Sequence, residues 1–311
     1  MLNPRILRKL ESIRDLPTVP IIISQILNAI DNPNSTAGQI ANLIEKDQSI
    51  TARVLRIANS PFYGFARKIS TVDLAVVVMG LNGIKEIVMS VFLKKIFKRI
   101  KNNIFDIQAF WHYSVYCGAC SRLLARKLGY KLAGEAFVAG LMHDIGVLII
   151  AEYFKDQYRD IMLLQIQKGY SITEAEQLVL GNTHCEIGAW IAERWNIPDK
   201  LVSTISNHHT HFSRFKEIIE NEENQNEAVD FSEIDQPLTA IVSLSEWFAE
   251  LTNMKLWNTS GVPTELYLSK EVFDDISDHD ILSPDSAFAI LKQEINEEYE
   301  KASLLNDLTS L

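Results

Sequence analysis

The sequence predicts an all-α fold, and three observations carry that expectation. Apolar residues recur at three- and four-residue spacing along most of the 311-residue chain. No stretch alternates apolar and polar residues in the manner of a half-buried strand. The helix-breaking residues are sparse, with 9 Pro and 13 Gly. Connections between the helical runs are short, which favours compact bundles: two packed helical bundles followed by a tail.

The first bundle covers residues 1–101. Leu2 to Arg14 forms a short helix closed by Asp15-Leu16-Pro17. A second runs from Ile21 to Ile30 behind Pro20, a residue suited to a first-turn position. Asn34-Ser35-Thr36 supplies an N-cap for a helix through Glu45, and Asp47 or Ser49 caps the next one, through Ala58. Asn59-Ser60-Pro61-Phe62-Tyr63-Gly64 then breaks the chain with turn residues. Thr71 to Met79, an interruption at Gly80, and Ile84 to Lys98 complete the set, with Asn102-Asn103 as a hinge.

The second bundle covers residues 102–252. It opens with a long helix from Asp106 to Leu128 and continues with the apolar run Ala136 to Ala151, a buried helix by composition. Gln157 to Lys168 follows, then a helix through Leu180 opened by the capping box Ser171-Ile172-Thr173-Glu174. His184 to Trp195 comes after Asn182-Thr183, and Pro198-Asp199 opens a helix through His208. Ser213 to Gln236 holds eight acidic and two basic residues and has the composition of a solvated insertion, residues 213–236, helical at most over Phe215 to Ile219. Pro237 to Leu251 is apolar again. In the tail, residues 253–311, a polar turn region from Asn253 to Pro263 precedes a Glu- and Lys-rich helix from Asp285 to about Leu305. Its Phe288, Ile290 and Leu291 suit docking on this chain or on a partner.

Composition excludes several classes of function. A formal charge of −10 argues against general affinity for nucleic acid, which needs clustered Lys and Arg. The local group Lys94, Lys95, Lys98, Arg99 and Lys101 fits the wet face and end of a helix. No apolar run is expected to reach the roughly 18 residues that span a bilayer. Met1-Leu2-Asn3-Pro4-Arg5 lacks a secretory layout, and three cysteines make no disulfide framework, so a cytoplasmic location is expected. Cys117-Gly118-Ala119-Cys120 has redox-motif spacing but lies mid-helix, where small residues serve close packing.

The chemistry concentrates at Gly140-Leu141-Met142-His143-Asp144-Ile145-Gly146. A His-Asp pair inside an apolar run costs several kcal/mol unless it finds partners. Those partners are either a metal with further ligands or a closed hydrogen-bond network, and both demand more His, Asp or Glu from elsewhere. Of the seven histidines, His112, His143, His184, His208 and His209 all lie in the second helical set beside apolar neighbours. Glu246 lies among apolar residues of the Pro237 to Leu251 helix and offers another carboxylate. Cys185, next to His184, is a ligand or a buried small residue. Imidazoles and carboxylates together suit one or two divalent ions such as Fe, Mn, Zn or Ni, and two ions would clamp a phosphoester.

The order His112, His143-Asp144, His184, His208-His209 resembles the HD phosphohydrolase superfamily. Leu16-Pro17-Thr18-Val19-Pro20, Ile44-Glu45-Lys46-Asp47 and Thr51-Ala52-Arg53-Val54-Leu55-Arg56-Ile57-Ala58-Asn59-Ser60 are similar to the HDOD family, the HD-related output domain. Phe62-Tyr63-Gly64, Val78-Met79-Gly80-Leu81 and Ala189 to Trp195 fit the same pattern. The resemblance implies a bacterial signalling module, an N-terminal bundle packed on an HD-like bundle. Such modules act through contacts with receiver, kinase or cyclic-dinucleotide proteins, without an established enzymatic activity. It also implies a metal set of His112, His143, Asp144, His184, His208, His209 and Glu246. Two departures from active HD-GYP phosphodiesterases stand out. Val147 takes the place of their lysine, and Thr210-His211-Phe212 stands where they carry Gly-Tyr-Pro. The expectation is therefore a regulatory module; the alternative is a metal-dependent phosphohydrolase acting on a nucleotide or cyclic dinucleotide.

Overall fold

A computed structural model describes residues 2–60, 68–97, 105–220, 236–252 and 284–307. Among them every regular element is a helix. In the first set, α1 is Pro4–Glu11, α2 Ile21–Asp31, α3 Ala37–Ile44, α4 Gln48–Ala58 and α5 Val72–Phe97. Their starts are set locally. Asn3 accepts the Arg5 and Ile6 N–H groups, Thr36 forms a capping box with Gln39, and Asp47 accepts from Ile50 N–H. The turn after α4 is fixed by Asn59, whose side chain donates to Leu55 O and Ile69 O and accepts from Ile69 N–H. The residues that follow, 61–67, lie outside the described part. α5 is kinked at Gly80, whose φ of 71° is a conformation that glycine adopts without strain.

The second set is α6 Ile107–Lys127, α7 Ala133–Met142, α8 Ile145–Tyr153, α9 Lys155–Lys168, α10 Ile172–Leu180, α11 His184–Arg194, α12 Asp199–Glu220 and α13 Pro237–Leu251. α14, Pro284–Asp307, closes the chain. Two expectations change here. The apolar run Ala136 to Ala151 is not one helix but two, parted at His143-Asp144. The helix expected to end at His208 runs on to Glu220, into the start of the acidic stretch. The rest of that stretch, residues 221–235, and the polar turn region Asn253 to Pro263 lie outside the described residues.

α6 is the central strut. It packs on α7 and α13 and carries α14 on its outer side, while α11 bridges α8 and α12. α5 gathers α2, α3 and α4 and then packs on α7, so the buried side chains of both sets join one continuous core. Several polar contacts also join the two sets. Asn3 N–H donates to Asn182 Oδ1 at 2.9 Å, Tyr153 Oη to Asp15 O at 3.1 Å, and Trp195 Nε1 to Pro17 O at 2.7 Å. The Leu16-Pro17 motif thus closes on the end of α11, beside the edge-to-face pair Phe92 and Trp195. Cys117 and Cys120 are fully buried free thiols.

Two stretches, Val72–Ile96 and Ala133–Tyr153, reach the length and hydropathy of a membrane span, contrary to expectation. They do so by joining helices across Gly80 and across His143-Asp144. The most apolar 18 residues of each are 61% and 89% buried within the protein, as core helices are.

Candidate metal centre

A continuous helix would aim adjacent side chains about 100° apart. The break between α7 and α8 lets His143 and Asp144 reach one point, with His143 Nε2 3.2 Å from Asp144 Oδ2. Two glycines fix the frame around it. A Cβ on Gly140 would lie 2.5 Å from Ser121 Oγ and 2.6 Å from Cys117 O, so α7 sits directly on the α6 backbone. A Cβ on Gly146 would lie 1.9 Å from His184 O, so the first turn of α8 touches the first turn of α11.

That turn of α11 is itself tightly specified. Thr183 caps it in a capping box with Glu186, which places His184 and Cys185 at the first two helical positions. α12 brings His208 and His209, and α13 brings Glu246. His143, Asp144, His184 and His208 are 0%, 3%, 1% and 0% exposed, so no solvent offsets an unpaired atom among them.

The outer ring nitrogens are committed. His143 Nδ1 lies 2.7 Å from Gly140 O, and His208 Nδ1 lies 2.8 Å from Ile205 O. A carbonyl oxygen only accepts, so both Nδ1 atoms carry a proton and Nε2 of the neutral ring is a lone pair. His184 Nδ1 lies 2.7 Å from Glu176 Oε2, which also accepts the His184 N–H at 2.8 Å. Glu176 is 1% exposed and has the place of the outer carboxylate in a carboxylate–histidine–metal arrangement.

The inner nitrogens converge. His184 Nε2 lies 3.1 Å from His209 Nε2, 3.3 Å from His208 Nε2, 3.2 Å from Asp144 Oδ1 and 3.4 Å from Cys185 Sγ. One proton on His184 Nε2 can point at only one of these neighbours, which leaves the others as facing lone pairs. His143 Nε2 and Asp144 Oδ1 are buried without a hydrogen-bond partner, although other donor atoms lie within 3.5 Å of each. A divalent cation would satisfy several of these atoms together. The donors form two overlapping groups, His184, Cys185, His208 and His209, and His143, Asp144 and His208.

The electrostatics agree. Burial alone would lower His184 and His208, but Cys185 and Asp144, with Glu176 for His184, hold both well above the ordinary imidazole range. Burial would raise Cys185, yet His184 and His208 draw it down to about 6. Asp144 sits well below the usual carboxylate range, because His143, His184 and His208 outweigh its burial. His209 is pushed well down by burial and by its neighbours His208 and His184. The pocket therefore holds positive charge against a thiolate and a carboxylate. A divalent ion would supply that charge and release the protons.

Two of the residues expected from the sequence stand apart from the donor groups. His112 is absent from both donor groups: it is exposed on α6, with Nδ1 2.8 Å from Tyr299 Oη on α14. Its neighbour Tyr113 is the buried residue at this point, its ring 5.8 Å from that of His143. Burial and the nearby Cys117, Glu246 and Asp144 hold the Tyr113 hydroxyl well above its usual range. Glu246 does reach the cluster, but its Oε2 lies 3.6 Å from His209 Nδ1, on the far side of the ring from the converging Nε2. It lies beside His209 and is absent from both donor groups. Glu176 went unsuspected in the sequence because it follows the capping Glu174 in one polar stretch.

Glu176→Gln keeps an acceptor for His184 but removes the charge. Metal affinity is expected to fall about 10-fold or more, measured by competition with a chromophoric chelator.

A buried His-Asp pair between two helices, ringed by histidines from two further helices, defines an HD-type bundle. The chain belongs to the HDOD family: the HDOD domain pattern matches residues 16–211. Three solved structures share the fold. An HDOD domain protein of unknown function from Geobacter sulfurreducens is 24% identical, with a TM-score of 0.73 and 96% of each chain covered. A candidate signal transduction protein from Marinobacter aquaeolei VT8 is 20% identical, with a TM-score of 0.67 over 100% of this chain and 62% of that one. A candidate phosphohydrolase from Shewanella amazonensis SB2B is 21% identical, with a TM-score of 0.65 over 97% and 98%. An uncharacterized protein of Treponema pallidum (strain Nichols) is 24% identical over 200 residues, 64% of this chain, which spans only 38% of that relative's length.

Proposed function

We propose that this chain is a cytoplasmic signalling module that holds a divalent transition metal in the HD-derived pocket and acts through contacts with signalling proteins. Receiver, kinase and cyclic-dinucleotide modules are the partner classes that the family resemblance suggests. The enclosure of the donor atoms carries the non-enzymatic part of this reading. His143, Asp144, His184 and His208 are at most 3% exposed and only the side chain of His209, 24% exposed, is partly open, so among the described residues the cluster offers a substrate phosphate little approach. Val147, where active relatives carry lysine, is 1% exposed and part of the core, so it brings no charge to a phosphate.

The retained histidines favour a second reading, a metal-dependent phosphohydrolase acting on a nucleotide or cyclic dinucleotide. It needs an open coordination position that a metal could use to activate water. One experiment separates the two. Protein purified without a polyhistidine tag is expected to carry about one zinc, iron, manganese or nickel ion per chain. His184→Ala and His208→Ala are expected to lose it, and the loaded protein to leave cyclic dinucleotides intact. Wild-type protein that stays metal-free after incubation with these ions overturns the metal reading. Hydrolysis that disappears in His208→Ala overturns the non-enzymatic one.

A further inference from the structure

We propose that Cys185 is a metal ligand. Its thiolate forms the fourth corner of an N3S site with Nε2 of His184, His208 and His209, so the site takes zinc or a similarly thiophilic divalent ion. The inference rests on the metal reading above and specifies its donor set, adding sulfur to the nitrogen and oxygen ligands that the family resemblance implies.

The donor spacing carries the argument. Two nitrogens at tetrahedral corners, each about 2.0–2.1 Å from zinc, lie about 3.3 Å apart; a nitrogen and a sulfur at about 2.3 Å lie about 3.5 Å apart. The observed His184–His208 and His184–His209 separations are 3.3 and 3.1 Å. Cys185 Sγ lies 3.4 Å from His184 Nε2 and 3.9 Å from His208 Nε2. These four of the six edges are thus within a few tenths of an ångström of tetrahedral values. The four donors also lie within 4.8 Å of one another.

Two neighbouring buried atoms belong to the rival donor group. Asp144 Oδ1 and His143 Nε2 are buried, lack hydrogen-bond partners and lie at the same cluster. Two donor groups share His208, whose Nε2 has one lone pair, so only one of them can be filled at a time. The sulfur-containing group offers four corners where His143, Asp144 and His208 offer three. Four protein donors close a tetrahedral zinc site in the manner of structural centres. Thiolate ligation also discriminates against the Mg and Mn ions that carboxylate-rich sites take.

Cobalt(II) titration of the full chain tests this, since cobalt reports its own ligands. The wild type is expected to take up cobalt with the strong visible bands of four-coordination and an intense near-ultraviolet sulfur-to-cobalt charge-transfer band. Cys185→Ser is expected to lose that near-ultraviolet band. Its affinity should fall by more than about a hundredfold, beyond the loss typical of outer-sphere partners. A Cys117→Ala/Cys120→Ala chain keeping the band assigns it to Cys185 even if Cys185→Ser does not fold. Cobalt uptake without the near-ultraviolet band overturns this proposal and leaves the metal reading standing. Absence of any uptake overturns both.

Discussion

Arg122→Met is expected to cost about 3–5 kcal/mol of stability, read from the urea midpoint at constant m-value. The guanidinium is buried between two carboxylates. Its Nη1 lies 2.5 Å from Glu86 Oε2 on α5, and its Nη2 lies 3.0 Å from Glu298 Oε2 on α14. Methionine fills much of the same space but leaves both carboxylates in the core with their main counter-charge gone. The two acids do not respond alike. Burial raises Glu86, whereas Glu298, also paired with Arg126 and Lys301, is held low despite its burial. Glu86 would therefore take up a proton first in the variant. A chain that also carries Glu86→Leu and Glu298→Leu is expected to recover most of the loss, because a buried triad is roughly break-even against apolar residues of similar size. If the single and triple variants are equally unstable, packing of the arginine stem, not charge, holds this seam.

The triad also shows why the last helix was hard to place from the sequence. α14 lies outside the part of the chain that matches the family, and its charged surface suited a partner as well as its own chain. Leu291, Ile295 and Ala302 are buried, and Tyr299 packs at a tilt against Tyr116 while bonding His112. Docking on α6 follows from tertiary ion pairs that no local pattern encodes. The helices themselves were legible, because periodicity and caps act over a few residues. Thr36, Asp47 and Ser171 cap where their residue types predict.

The site was legible as a set of residue types and less so as a geometry. On α6 nearly everything from Phe110 to Ala125 is buried, so the helix has no polar face from which to read its phase. His112 matched the family order, but the packing turns Tyr113 inward. The apolar run around His143 gave no local hint of a break, since the break is stabilised by what the two side chains meet on α11 and α12. Cys185 read from the sequence as either a ligand or a buried small residue, and its three histidine neighbours come from folding.

Gly146→Ala tests how far that geometry depends on one close approach. The added methyl would meet the His184 carbonyl at 1.9 Å and the Gly188 nitrogen at 2.8 Å. Both atoms belong to the backbone of α11, so no rotamer relieves the contact and one of the two helices must move. Overpacking of this kind costs about 3 kcal/mol when backbone has to shift. His184 leads the displaced turn, so metal affinity is expected to fall by about 10- to 100-fold, as it does when a ligand is no longer held in place. Gly38→Ala is the control, because its Cβ would meet only Asp73 Oδ1, at 3.5 Å, within α3. There the substitution restricts the unfolded chain without strain and is expected to stabilise by about 0.4–1 kcal/mol, with metal affinity unchanged. Opposite signs in stability, with metal loss confined to Gly146→Ala, would tie the site to the contact between α8 and α11. A Gly146→Ala protein that keeps both its stability and its metal would show that α11 can retreat without disturbing the ligands. His184 would then owe its position to Glu176 and the Thr183 cap.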